Sequence, residues 1–547
     1  MAASGSRRTA STVADASSEV AGAAASSSPT GGAAMGLQRI GLRAVRRVWW
    51  AAVVLGVVQG GVLLAWSWHL WSQFDLSSDF ATYAQAWSRI GTGHLDPYET
   101  LFLWHAPHYG YPFLQSHFEL AVWPLAMLRA VGLPASALLV VQDVALVVAT
   151  GAAVRLVLEV VDRHWPRQGD RPRRGVGVVA GCLAAACIAC PWTYWAASFD
   201  FHLQVVATAF ALLAGRDALV GRRRAWIFAC AVLLCGDVAA TYLVAVGLAT
   251  LVAGRRRFDG IGFVAAALAW LGVVSLFHAD KGSSLTAGYG YLAGHAVGSG
   301  LAGVAAIVAG MVRHPRVPAR VLRDRWRAVG QYLVGSGLIG VLTPLGLAAA
   351  VVVLVPNALN APGIYVSHVA GFQNLFPALA LASASAGAVT WVARRRPGTL
   401  ACSTAVALAG GALLATCVVT AQTLPTIGAQ FETVPGPTAA RLAAVAAVTP
   451  PSAEVVATNA VVGRFATRRW VYPFLGDVPD QVVPVFGHTV VVVLVAHLRG
   501  ASRSFGQLTA AARQALSTMG ARLLVHGAGV TAFRFEPPAG VRSIVLP

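Results

Sequence analysis

The sequence predicts an α-helical polytopic membrane protein with a small C-terminal extracytoplasmic α/β domain. Hydrophobic residues make up 56% of the 547 positions and charged residues only 12%, about half the charged share of a soluble protein. The apolar residues also form runs long enough for helices that cross a hydrocarbon layer of about 30 Å. We therefore expect about nine to eleven membrane-crossing helices.

The placement of the basic residues predicts orientation rather than a ligand. The formal net charge is +19, which in a soluble protein would suggest nucleic acid. Here arginines stand in short runs between apolar segments, at residues 222–224, 255–257 and 394–396. This is the positive-inside pattern of cytoplasmic loops. We expect no nucleic-acid partner, and a multi-pass protein of a bacterial plasma membrane that contacts membrane lipid.

Three domains are predicted along the chain. Residues 1–40 are dominated by Ala, Ser, Gly and Thr and are expected to form a disordered cytoplasmic tail. Residues 41–421 form the polytopic membrane domain, with a first span at about 48–70 and an acidic first outer loop at 71–118. Further spans are expected at about residues 134–160, 176–197, 203–219, 258–278, 329–355, 370–393 and 399–421.

Some apolar segments are too short for simple spans. Residues 119–131 favour a partial-depth segment. Residues 225–253 lie between two arginine triplets and favour a hairpin of half-helices with Asp237 near its tip. Residues 297–312 are also short, and the basic stretch 313–327 is either a cytoplasmic loop or an amphipathic interfacial helix.

The last part of the chain, residues 422–547, predicts a small α/β domain. Its β-like runs alternate with helix-like stretches at 438–448 and 505–519. One span separates it from the arginines at 394–396, so we expect this domain and the N-terminus on opposite sides of the membrane, with the domain outside. The β-like runs are residues 454–457, 470–472, 490–495, 522–525 and 530–535.

The first outer loop reverses the charge of the chain. Residues 71–120 contain five acids, one arginine and four histidines, a composition that suits acid–base chemistry as well as a solvated loop. Asp79 begins a compact helix predicted to start at Ser77 or Ser78, with Tyr83 and Trp87 on the same face. We take Asp79 as the best candidate base and Asp75 as the second, with the two rings as a carbohydrate platform; a plain first-turn acid is the alternative.

Metal binding is not assigned. His105 and His108 have metal-compatible spacing, but no third ligand is fixed by the sequence. We therefore expect no cofactor, and the requirement for a divalent metal stays open.

Ionisable residues within or beside spans are costly and tend to be functional. Each of them alone is as readily explained by structural pairing. Several are expected on the outer side, where one cavity would gather them. The substrate-binding candidates, besides Tyr83 and Trp87, are His117, Glu119, Asp143, Asp200, His202, Asp237 and His368.

Several stretches resemble a family of predicted bacterial membrane proteins known as domain of unknown function 2079. They include SDFATYAQAWSRIGTGHLDPY, QSHFELAVWPLAMLRAVG, SFDFHLQ, CGDVA and YVSHVAGFQNLFPALAL. In plan the chain is also similar to the polytopic glycosyltransferases of the C-type fold. That resemblance implies sugar transfer from a polyprenyl-phosphate donor, with an acid of the first outer loop as base.

The leading hypothesis is an inverting glycosyltransferase that uses a polyprenyl-phosphate-linked sugar and an envelope acceptor. In it Asp79 deprotonates an acceptor hydroxyl. The alternatives are a transporter or flippase of a lipid-linked or amphiphilic solute, and a non-catalytic membrane protein of envelope assembly.

Overall fold

A computed structural model describes residues 31–101, 111–168, 171–172, 175–277, 283–298, 300–361, 371–395, 399–427, 433–476, 480–496, 498–499 and 503–547. Its helices are α1 (Gly31–Gln73), α2 (Ser78–Gly91), α3 (Phe113–Ser116), α4 (Val122–Ala130), α5 (Ala137–His164), α6 (Val176–Ile188), α7 (Pro191–Ser198), α8 (Leu203–Leu219), α9 (Ala225–Leu234), α10 (Asp237–Ala253), α11 (Arg257–Phe277), α12 (Ser283–Ala293), α13 (Gly300–Arg313), α14 (Arg316–Asp324), α15 (Trp326–Gly335), α16 (Pro344–Ala349), α17 (Val355–Ala358), α18 (Leu375–Arg395), α19 (Thr399–Thr423), α20 (Gly436–Val448) and α21 (Arg503–Thr518).

The strands are short in the membrane domain and longer near the C-terminus. They are β1 (Tyr98–Glu99), β2 (Tyr111–Pro112), β3 (Arg167–Gln168), β4 (Arg171–Pro172), β5 (Glu454–Thr458), β6 (Val471–Phe474), β7 (Gln481–Pro484), β8 (Val490–Val495), β9 (Arg522–Gly527), β10 (Val530–Phe535) and β11 (Ser543–Leu546).

The membrane domain is a helical bundle, as the sequence predicts. Within the described ranges, six helices are long and apolar enough to cross a membrane. Shorter apolar helices complete the bundle, among them α9, α10 and the segment from α16 to α17. The six long helices are Ala44–Gln73, Ala137–His164, Val176–Ser198, Arg257–Phe277, Phe372–Arg395 and Leu400–Thr426.

Two local predictions are confirmed and two are corrected. Residues 225–253 break into α9 and α10 at Gly236, with Asp237 at the break, and residues 119–131 hold only the short helix α4. The single span expected at 329–355 is instead divided by a 3-10 turn, Leu338–Leu342, and a π-helical turn, Ala350–Leu354. The disorder expected for residues 1–40 is wrong for 31–40, because α1 begins at Gly31; residues 1–30 lie outside the described ranges.

One end of the bundle gathers arginines, and we call it the arginine face. Arg216 and Arg224 both pair with acids there, and Arg394 at the end of α18 donates to the carbonyl of His164 at the end of α5 (2.6 Å). A Cβ at Gly221 would lie 3.3 Å from the Cβ of Arg255, so the loops at 222–224 and 255–257 meet on the same face.

The opposite end gathers carboxylates, and we call it the carboxylate face. The helix α11 starts at the arginine face and has 21 residues, a length of about 31 Å at 1.5 Å per residue. It ends at Phe277, whose ring lies 5.0 Å from that of Phe118, next to Glu119. The described part of the acidic segment 71–118 therefore lies about one bundle length from the arginine clusters.

The C-terminal region is an α/β unit whose five predicted strands are confirmed. The main sheet has the order β6-β5-β8-β10-β9. The strand β5 is parallel to β6 and β8, whereas β10 is antiparallel to both of its neighbours. Every residue of β8 is buried, as expected for a central strand. The sequence analysis did not identify the pair β7–β11.

This sheet unit packs on the carboxylate face of the bundle. The guanidinium group of Arg464 lies 4.0 Å from the ring centroid of Trp71 and donates to the Trp71 carbonyl. Gln85 of α2 donates to the carbonyl of Arg469 (2.9 Å), and Thr100 donates to the carbonyl of Val471 (2.5 Å). These contacts place α2 between the bundle and the C-terminal unit.

Candidate functional site

The helix α2 forms the frame of the site, and its start and end follow from its sequence. Ser77 is the N-cap, and its hydroxyl accepts a hydrogen bond from the backbone N–H of Asp79 (3.2 Å), the usual role of serine at this position. The helix ends at Gly91. The cap fixes Asp79 in the first turn, at the positive end of the helix dipole.

Asp200 holds the start of this helix against the bundle. Its Oδ2 accepts hydrogen bonds from the backbone N–H (2.7 Å) and hydroxyl (2.6 Å) of Ser77, and from the N–H of Phe80 (3.4 Å). These N–H groups have no intrahelical partner at a helix start. Asp200 is therefore a second cap supplied by a distant turn, and its role here is positioning.

Asp79 and His202 meet at the mouth of this arrangement. The side chain of Asp79 is 48% exposed, and its Oδ2 lies 3.5 Å from Nε2 of the buried His202. The His202 ring stacks on Phe372 with centroids 3.6 Å apart, and its Nδ1 is 2.7 Å from the carbonyl of Asp200. Because a carbonyl only accepts, Nδ1 carries a hydrogen, and Nε2 is the nitrogen that faces Asp79.

Asp79 lines a cavity of about 840 Å³ between the bundle and the C-terminal unit. Asp75 also lines it and accepts a hydrogen bond from the N–H of Val434 (2.6 Å). Arg499 contributes a cation from the C-terminal unit. The ends of α1 and α19 supply an apolar wall, lined by Trp66, Leu70, Pro425 and Ile427.

A second set of polar groups lies behind α2, and we call it the buried polar cluster: Tyr83, Glu99, His117, Glu119 and Gln204. The amide of Gln204 donates to Glu119 (2.9 Å), and the phenol of Tyr83 is hydrogen-bonded to the same carboxyl group. His117 Nδ1 lies 3.3 Å from Glu99 Oε2. This cluster does not line the cavity, but the negative charge of Asp79 raises the pKa of His117.

Burial changes the proton affinity of these groups. Burial raises the pKa of Asp200 to about 6, although the hydrogen bonds from Ser77 lower it. Burial likewise raises the pKa of Asp75 to about 6, although the hydrogen bond from Val434 lowers it. Burial also raises the pKa of Glu119 to about 7. Burial lowers the pKa of His117, but Glu99, Glu119 and Asp79 outweigh it and raise that pKa to about 9.

Asp237 lies near the buried polar cluster and directly follows Gly236. It begins α10, and its negative charge raises the pKa of Glu119. Gly236 before it has a φ of 108°, a conformation that side chains rarely adopt. A Cβ at this position would lie 2.8 Å from Cγ of Glu119. The predicted break in the hairpin therefore makes room for the Glu119 side chain.

Several other predicted residues do not line the cavity. Trp87 is fully buried and donates to the carbonyl of Leu125 (2.9 Å), so the expectation that it forms an open sugar platform is wrong. Tyr83 is buried too and acts within the polar cluster. Asp143 lines a separate groove of about 440 Å³ between α1 and α5. His368, His105 and His108 lie outside the described residues.

Among the described residues, no three His, Cys, Asp or Glu side chains gather into a group that suits a metal ion. Arg499, Glu99 and Gln204 were not predicted as site residues from the sequence. Gln204 stood within the quoted SFDFHLQ stretch, two positions after His202, so that stretch could have indicated it. Arg499 is brought to the cavity by pairing with Thr433, which no local pattern indicates.

Comparison with known families gives one result. A family model described as "Predicted membrane protein (DUF2079)" matches residues 67–515. The match includes α2, the SFDFH turn, the hairpin at Gly236 and Arg499. No curated protein and no solved structure matches the chain.

Proposed function

We propose that this chain, which belongs to the DUF2079 family of predicted membrane proteins, transfers a sugar from a polyprenyl-phosphate donor to a hydroxyl group of an envelope acceptor. The observation that carries the proposal is the position of Asp79. It is a half-exposed carboxylate in a large cavity, beside a buried histidine with a fixed tautomer. A carboxylate in this setting is equipped to take a proton from a bound hydroxyl.

The proposed reaction is a single displacement. The acceptor oxygen bonds to the anomeric carbon while its proton passes to Asp79. The bond from that carbon to the phosphate oxygen breaks, and the electron pair leaves with the polyprenyl phosphate. Attack from the face opposite the leaving group inverts the configuration. His202 Nε2 takes up or returns the proton, so that Asp79 is ready for the next turnover.

The walls of the cavity suit the two halves of such a donor. Arg499 is placed to neutralise the leaving phosphate, since guanidinium groups bind phosphate oxygens well. Trp66 and Leu70 on α1, with Ile427 beyond α19, offer apolar surface at the ends of membrane helices. A lipid chain would lie against them, and Asp75 and Ser77 would contact the polar acceptor.

The same proposal includes an orientation. If the arginine face is cytoplasmic by the positive-inside rule, the N-terminus is cytoplasmic and the carboxylate face with the C-terminal unit is extracytoplasmic. Polyprenyl-linked sugars exposed on the outer leaflet would then meet Asp79 directly, where envelope acceptors are also found.

The test is sugar transfer by the purified full-length protein with a panel of polyprenyl-phosphate sugars and cell-envelope acceptors. Asp79→Asn should lower transfer at least about 100-fold, the usual contribution of a general base. Asp96→Asn is the matched control, because Asp96 is an exposed acid of the same loop outside the cavity. It should transfer sugar like the wild type.

Equal transfer by the wild type and Asp79→Asn would refute the role of Asp79. Movement of a lipid-linked sugar across liposome membranes, without transfer to any acceptor, would instead support the flippase alternative. The absence of both sugar transfer and lipid movement would favour a non-catalytic role in envelope assembly.

A further inference from the structure

A basic segment outside the arginine face has no role in the proposed reaction. Residues 313–327 contain six arginines and one acid, Asp324. Within α14 the residues Arg316, Arg320 and Arg323 follow helical spacing and share one side. We call these three the basic stripe; Arg313 and Arg327 flank it. The residues of the stripe are exposed, and its ion pairs to Asp324, at 3.9 and 3.6 Å, are exposed too.

The contacts of the following segment place the basic stripe near the carboxylate face. In α15, the hydroxyl of Tyr332 donates to the carbonyl of Asn374, just before α18 begins. The other end of α18 carries Arg394 at the arginine face. From Tyr332 the chain runs to Thr343, which shares a pocket with His164 at the arginine face. The chain therefore descends from α14 toward the arginine face.

A second contact agrees with this placement. The chain turns back after Pro344 and reaches Ala358, whose carbonyl accepts a hydrogen bond from Arg325 (2.6 Å). The residues from Pro344 to Ala358 are helical, and a helix of that length rises about 20 Å. Arg325 and Ala358 thus lie together, well away from the arginine face. Of the two conformations expected for residues 313–327, a loop or a helix, the structure has a helix, α14.

Membrane topology therefore does not account for these arginines. The positive-inside rule explains basic residues at the arginine face, but the stripe lies toward the other end of the bundle. Like charges at helical spacing destabilise a helix slightly, and a single acid, Asp324, is paired with two of the three arginines.

The surroundings of α14 are those of an interfacial helix. Val321 and Leu322 pack against the apolar cluster of Leu292, Ile307 and Leu359, which leaves the stripe facing outward. Trp326, directly after α14, is 63% exposed, and the guanidinium group of Arg327 lies 5.7 Å from its ring centroid. Exposed tryptophan beside arginine is typical of the boundary between lipid and water.

We propose that the basic stripe binds the phosphate groups of anionic phospholipids in the leaflet at the carboxylate face. Three guanidinium groups at helical spacing present a row of hydrogen-bond donors to phosphate oxygens, and guanidinium binds phosphate through paired bonds. Attraction of an arginine to an anionic membrane surface is worth about a five-fold factor in binding. This inference does not depend on sugar transfer.

The test uses the full-length protein purified in a nonionic detergent. Native mass spectrometry counts the phosphatidylglycerol or phosphatidylcholine molecules retained as each lipid is titrated into mixed micelles. The triple variant R316Q/R320Q/R323Q keeps strong helix formers at each position. The matched control is R513Q/R522Q/R542Q, which removes three exposed arginines of the C-terminal unit. A parallel titration with inorganic phosphate distinguishes lipid-borne from free phosphate.

The wild type and the control should retain phosphatidylglycerol in preference to phosphatidylcholine, and millimolar phosphate should not displace it. The stripe variant should bind phosphatidylglycerol roughly 100-fold more weakly. Equal retention by the stripe variant and the control would overturn the proposal, as would displacement by inorganic phosphate. A wild-type protein that retains phosphatidylglycerol but transfers no sugar would count against the proposed function alone, so the two failures are distinguishable.

Discussion

The two ends of the bundle both bury carboxylates, but they hold them differently. At the arginine face, Asp217 is fully buried and paired with Arg216, Arg222 and Arg224, and Glu159 is paired with Arg216. At the carboxylate face, Asp200 and Glu119 are held by hydroxyl, amide and backbone N–H groups.

This difference separates structure from function. The carboxylates of the arginine face are paired with arginines, and the pair of Arg216 with Glu159 joins α8 to α5. Burial raises the pKa of Asp200 and of Glu119 toward neutrality although neutral groups donate hydrogen bonds to both, and shifted pKa values of this kind cluster at functional sites. The contrast favours the carboxylate face, where Asp79 lies, as the location of the proposed chemistry.

The largest expected effect is on stability and lies at the arginine face. Asp217→Asn leaves three arginines around a neutral group, and breaking a buried ion pair costs about 3 kcal/mol or more. Thermal unfolding of the detergent-solubilised protein should therefore shift to clearly lower temperature. Asp324→Asn is the control, because its pairs are exposed and worth little. An unchanged melting temperature for Asp217→Asn would contradict the claim that the ion pairs of the arginine face stabilise the bundle.

The second effect is a pH dependence at the carboxylate face. The pKa of His117 is raised from 6.5 to about 9, so its contribution to stability is full below pH 6.5 and is lost as the pH rises through 9. His117→Gln should be less stable than the wild type by about 2 kcal/mol at pH 6. The gap should close by about pH 9.5.

Melting temperatures measured across this pH range check the prediction. His94→Gln, at an exposed histidine of the same loop, should follow the wild type throughout. A gap between His117→Gln and the wild type that stays constant with pH would show that the charge of His117 is not stabilising.

The smallest expected effect concerns the close contact between Gly236 and the side chain of Glu119. Gly236→Ala introduces strain at a φ of 108° and a contact of 2.8 Å with Glu119, and should cost about 1.5 kcal/mol. Gly93→Ala has a similar φ of 96° but nothing within 4 Å. Thermal unfolding of both variants should show a larger loss for Gly236→Ala. Equal losses of stability would mean that backbone strain accounts for the whole effect and that the Glu119 side chain moves aside without cost.

Much of the fold was predictable because its causes are local. The cap at Ser77, the break at Gly236 and the alternating strands of the C-terminal sheet each follow from a few neighbouring residues. The interrupted segment from α15 to α17 was not predictable, because its apolar sequence suits one continuous span equally well. Its 3-10 turn packs against α18 and its π-helical turn against α10, contacts that no local pattern indicates.

The site was predictable in its residues but not in their partners. The acidic first loop indicated Asp79, and the SFDFH stretch indicated His202, yet 123 positions separate Ser77 from Asp200, which binds it. Trp87 shows the opposite limit, since an aromatic residue one turn after Tyr83 fits a helix core as well as a sugar platform. Only the three-dimensional arrangement separates these readings.

The most direct measurement compares Asp79→Asn with Asp217→Asn for sugar transfer per folded molecule, with melting temperature recorded on the same preparations. The account predicts that Asp79→Asn keeps the wild-type melting temperature and loses transfer at least about 100-fold. Asp217→Asn should melt earlier but transfer sugar at the wild-type rate while folded. Undiminished transfer by Asp79→Asn would contradict the assignment of function to the carboxylate face.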